Sequence, residues 1–92
     1  MKIIWSEQAK KSYEKTIDNL LERWTIDIVF KFENLTNITL DNLKKNKSFC
    51  PKSQQTQLRK CVIHKNISLI YRIEKSNIEL ITFIDNRSEH QY

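Results

Sequence analysis

The chain has 92 residues, a net charge of +5 and a pI near 9.3, with 39% apolar and 29% charged residues. That balance suits one globular domain with a modest core, spanning residues 1–92, and excludes a disordered polyelectrolyte. No apolar run approaches the roughly 20 residues that a membrane span needs, and Met1–Trp5 is too short for a signal-peptide core, so a cytoplasmic protein is expected.

Lys2 to Trp5 reads as a short strand, followed by Ser6 as the N-cap of a helix with Glu7 in its favourable first turn. Ala9, Tyr13, Ile17, Leu20, Leu21 and Trp24 recur at three- and four-residue steps, which predicts an amphipathic helix to about Arg23 or Trp24. The next stretch, TIDIVFKF, alternates as a strand would, yet Ile28, Phe32, Leu35, Thr39 and Leu43 also form a helical stripe. Length decides for a second helix over about Ile26 to Lys45, capped by Thr25 and folded back on the first, because no Gly or Pro interrupts it. Trp5, Trp24, Phe32 and Tyr71 are assigned to the core.

Lys44 to Gln57 is a polar, basic loop, with Phe49 as its anchor and Pro51 barring any continuation of the helix. Three apolar segments then follow: Cys61–Ile63, Ile67–Ile73 and Ile78–Ile84. Their β-branched and aromatic content predicts strands, and the short polar breaks between them require antiparallel neighbours. In the middle strand Ile67, Leu69, Tyr71 and Ile73 share one face, while Ser68, Ile70, Arg72 and Glu74 share the other. With no glycine in the chain, left-handed backbone is expected at Asn46, Asn66, Asn77 and Asn86. The order β-α-α-β-β-β predicts an α+β fold, an antiparallel sheet with a helical hairpin packed on one face.

Cys50 and Cys61 are read as free thiols of a reducing compartment, and their spacing holds no zinc ligand set; His64 and His90 stand alone. Charge is uneven. From Asn42 to Ile73 there is no acidic residue, while Lys47, Lys52, Arg59, Lys60, Lys65 and Arg72 all fall there. Such a block concentrates a polyanion at one surface.

The chain resembles the RelE/ParE superfamily of bacterial type II toxins. The likeness runs through MKIIWSEQAKKSYEK, which is similar to the opening of YoeB-type members, through LRKCVIHKNISLIYRI, and into LITFIDNRSEHQY. It implies a cognate antitoxin and, as the leading expectation, growth arrest by ribosome-dependent mRNA cleavage through 2′-OH attack, with inhibition of DNA gyrase as the alternative. Neither implies a metal or other cofactor. For the nuclease, the resemblance places Arg87 near the scissile phosphate and gives Tyr92 or His90 the base-stacking or proton-moving role. It puts Lys47 and Lys52 in an RNA-binding loop, and Lys60 and Lys65 extend that basic block. The arginine that nuclease members hold three residues before the Tyr of the third strand is Ser68 here, which offers no positive fork. Arg72 or Arg59 would have to replace it. A third alternative is an inactive module that binds antitoxin or nucleic acid.

Overall fold

The computed structural model describes residues 2–87. Strand β1 (Lys2–Trp5) leads into α1 (Glu7–Arg23) and α2 (Ile26–Lys45), and β2 (Arg59–His64), β3 (Ile67–Glu74) and β4 (Asn77–Asp85) follow the long loop. The expected fold class holds, and the elements fall within a few residues of the pattern read from the sequence. The Ser6 hydroxyl accepts from the Ala9 N–H at 3.0 Å, satisfying one free amide of α1, and donates to the Ile81 carbonyl at 3.1 Å. One side chain therefore caps the helix and ties it to β4. Thr25 occupies the N-cap position of α2, but its side chain makes no capping bond.

The sheet order is β1-β4-β3-β2. The last three strands form the antiparallel meander, whereas β1 pairs β4 in parallel, so the sheet is mixed. The helical hairpin and the long loop carry the chain from β1 across to β2 at the far edge of the sheet, and the meander brings β4 back beside β1. Leu69 and Tyr71 of β3 are fully buried with Phe32, and the partly buried Ile67 and Ile73 pack against that core. Tyr13 sits 5.4 Å from Phe32 and 5.1 Å from Phe83 between ring centroids, and Trp5 stacks on Phe83 at 5.8 Å. This aromatic cluster welds both helices to β1 and β4, and such contacts add to area burial. Phe32 is buried while Phe30 is 60% exposed, which settles TIDIVFKF as helix, since a strand would have placed both on one face.

Several local expectations are corrected. Trp24 is 56% exposed, because α1 ends at Arg23 and the chain turns away before the indole reaches the core. Phe49, expected as the loop's anchor, is also exposed. Left-handed backbone falls on Lys65 (φ 44°) and Lys75 (φ 57°), not on asparagine. Each lysine takes the first position of a tight turn whose second position holds Asn66 or Ser76.

Cys50 and Cys61 form a disulfide, with Cα atoms 5.3 Å apart, against the expectation of free thiols. The reason is long-range. The loop doubles back along β2, where Lys60 N–H donates to the Pro51 carbonyl and Lys52 bridges Arg59, so the two sulfurs meet beneath the strand. Tyr71 closes the same clamp, donating to the Lys47 carbonyl at 2.8 Å and accepting from the Cys50 N–H at 3.4 Å. Burial pushes its phenol up, only partly countered by the Cys50 bond and by Arg59, so the hydroxyl stays protonated and able to donate.

Candidate functional site

The candidate arginines are held in three separate places. Arg59, facing the same side as Tyr71 through their register pairing, donates from Nη1 to the Cys50 carbonyl at 2.8 Å. It works as a tie on the loop backbone. Arg72 lies on the opposite sheet face, where its Nε meets Glu79 Oε1 at 2.5 Å and its Nη2 meets Glu74 Oε2 at 3.0 Å. Two carboxylates therefore surround one guanidinium. Arg87 grips Asp85 through Nε and Nη2, the shortest contact being 2.6 Å. Hydrogen bonds from Arg87 hold the Asp85 carboxyl down at about 2, so the pair is fully ionised at neutral pH. Glu79 and Asp85 stand toward opposite ends of β4, roughly 20 Å apart at about 3.3 Å per residue, and their arginine partners are separated accordingly.

Ser68 lies on the outer sheet face near the start of β3. It is fully buried, opposite Val62 and Ile84, and its Oγ accepts from Asn86 Nδ2 at 2.7 Å. Ile70 and Thr82 are buried beside it. This part of the face is closed and neutral.

The four candidate lysines divide in the same way. Lys47 and Lys52 lie on the clamped loop, and Lys60 is half-buried opposite Ile70. Lys65 belongs to the other end of the sheet, with its ammonium 5.4 Å from the Trp24 ring centroid. There the β2–β3 turn, the ends of β4 and α1 and the start of α2 enclose a cavity of about 180 Å³ that Arg87 also lines. The sequence reading missed Arg23 and Trp24 at this cavity, having assigned the indole to the core by extending the helical stripe one step too far. His90 and Tyr92 lie outside the described residues. Among the described residues no group of His, Cys, Asp and Glu could hold a metal, and no helix is long and apolar enough to cross a membrane.

His64, buried at the cavity wall, has its pKa lowered from 6.5, first by burial and then by Lys31 and Lys65. The imidazole is neutral in the fold, while the unfolded chain takes up a proton as pH falls below its ordinary 6.5. Stability should therefore drop as pH falls from there through the lowered folded value. Urea melts of the wild type and a His64→Gln variant between pH 7.5 and roughly 5 measure it; a variant with the same pH slope would clear His64 of this role.

No protein-family model and no curated protein matches the sequence. Solved structures do. A chain of the chromosomal ParDE toxin–antitoxin system from P. aeruginosa superposes with a TM-score of 0.74 at 11% identity, covering 92% of this chain and 95% of its own. The YoeB/ParE toxin from Agrobacterium tumefaciens gives 0.67 at 16% identity, covering 92% and 98%. The YoeB dimer from Staphylococcus aureus gives 0.63 at 18%, covering 89% and 92%. Agreement over nearly the full length of each partner, including the helical crossover from β1 to the meander, identifies the architecture: this chain has the RelE/ParE toxin fold.

Proposed function

We propose that the chain is the toxin of a toxin–antitoxin pair, and that it arrests growth by binding DNA gyrase rather than by cutting mRNA. The toxin role is supported by the fold shared with the ParE- and YoeB-type toxins. One observation carries the choice of mechanism: the position where a nuclease holds its transition-state arginine is the buried, neutral Ser68. Metal-independent RNA cleavage needs a base, an acid and cations converging on one phosphate. Here Arg59, Arg72 and Arg87 are each committed to a separate acceptor. A binding inhibitor needs no such convergence; it needs a rigid, charged surface.

The cognate antitoxin fits the same surface. The clamped loop carries Lys47 and Lys52 within a stretch free of acidic residues, and an acidic segment that orders on contact would neutralise it.

Induced expression, with primer extension on a cellular mRNA and plasmid supercoiling from the same cells, tests the mechanism. Intact mRNA with altered supercoiling or broken DNA is expected. Cuts in translated codons that disappear with Arg87→Ala would overturn it and restore the mRNA nuclease, with Arg87, His90 and Tyr92 as its residues.

A further inference from the structure

The outward face of α2 carries side chains that the fold itself does not use. Ile26, Phe30, Asn34 and Ile38 recur every four residues and are all exposed, so they form one continuous ridge on the side of the helix away from Phe32. Asn37, also exposed, lies beside it. Exposed apolar residues scattered singly are ordinary, but three on one ridge mark a contact surface. Helix propensity makes the same point. A solvated helix face is best served by Ala, Lys, Glu or Arg, whereas Phe, Ile and Asn are poorer helix formers. Here they stand where packing within the chain does not require them.

Two observations name the occupant. The first is charge. The chain is net +5, so two copies repel through most of their surface, yet the exposed charges of α2 from Ile26 to Asp41 are Asp27, Lys31 and Asp41. An acidic segment gains nothing from that balance, while a second copy escapes the repulsion it meets at the basic loop. The second is the symmetry of the ridge. Phe30, Asn34 and Ile38 read apolar, amide, apolar, with Asn34 at the centre. A two-fold axis through Asn34 sets Phe30 of each copy against Ile38 of the other. It also sets the two Asn34 amides face to face, where each has a donor and an acceptor to offer. Interlocking of two such ridges, at about −50°, is the commonest way for helices to cross.

We propose that two copies of this chain pair through α2, antiparallel about an axis at Asn34. Phe30 packs on Ile38 on either side of the axis, the Asn34 amides bond at the centre and fix the register, and Lys31 of each copy turns toward Asp41 of the other. A single helix crossing buries less than the roughly 800 Å² a side of a standard interface, so the pair forms at micromolar concentrations and above. The outer face of the sheet lies on the far side of each copy and stays accessible. The proposal concerns the chain by itself and stands apart from the toxin and gyrase readings.

Sedimentation velocity of the full chain, from the low micromolar to the millimolar range, tests it. The mean mass should climb toward that of a dimer, and Phe30→Glu or Ile38→Glu should weaken association at least about tenfold, as loss of a central anchor does. Both positions are exposed, and unchanged thermal melts would verify that the variants fold. Asn34→Cys should close an intermolecular disulfide on oxidation, because the axis brings that position against itself. Asn19→Cys, exposed on α1, should not. A chain that stays monomeric throughout overturns the proposal. So does a dimer that Phe30→Glu leaves intact, or one that cross-links equally well through Asn19, since either puts the contact on another face. A monomer in which Phe30→Glu removes only the binding of an acidic partner would overturn it too and assign the ridge to that partner.

Discussion

Replacing Ser68 by arginine should unfold the protein rather than endow it with RNA cleavage. Ser68 is fully buried between register partners Val62 and Ile84, and its hydroxyl already accepts from the Asn86 amide. A guanidinium there has no carboxylate opposite it and no path to water. An uncompensated buried charge costs about 3–5 kcal/mol, and the added volume forces neighbouring side chains off their rotamers. A domain of this size has roughly 5–15 kcal/mol in total, and its small core argues for the lower end. Urea melts of the purified variant should show a collapsed midpoint or no native baseline. Ser68→Ala is the control and should lose about 1–3 kcal/mol, because it strands the Asn86 donor. A Ser68→Arg protein that melts like the wild type would mean that the outer face has room for a phosphate-binding arginine. The argument against a nuclease would then fall.

The fold was legible because its signals are local and periodic. The stripe from Ala9 to Leu20 and the alternation from Ile67 to Ile73 depend only on which face each residue presents, and the structure keeps those faces. Even the ambiguous TIDIVFKF yielded to pattern length. The site was harder to read, since three arginines near each other in a list can point in opposite directions. Arg59 and Arg72 lie on adjacent strands, one register step apart, and so face opposite sides of the sheet. Arg87 stands a strand's length away, and no period in the sequence reports the Glu74 and Glu79 carboxylates that neutralise Arg72 or the Asp85 carboxylate that neutralises Arg87. Trp24 illustrates the other limit. Helical spacing says where a side chain points only while the helix lasts, and α1 stops one residue before it.

The cysteine pair was misread for the same reason, and its removal should have the second large effect. Oxidised protein treated with a phosphine reductant, and a Cys50→Ser/Cys61→Ser variant, should both lose about 3 kcal/mol. That is the loop-entropy value for a short closed ring, here one joining residues 11 apart in sequence. For a domain of this length the loss lowers the melting temperature by roughly 10–20 °C. The variant should no longer respond to reductant, which separates the bond from any general effect of the reagent. The loop should stay attached after reduction, because Arg59 still holds the Cys50 carbonyl and Tyr71 still holds Lys47. What it loses is rigidity, and amide exchange around Lys47 to Lys52 should quicken while the strands stay protected. A melt unmoved by reductant would show that the clamp rests on its hydrogen bonds and not on the disulfide. If the bond does act, it matters for binding as well as stability: it presents the loop's lysines in one arrangement before any partner arrives. An acidic partner closing on the reduced chain would then have to order that loop itself and would bind more weakly for it.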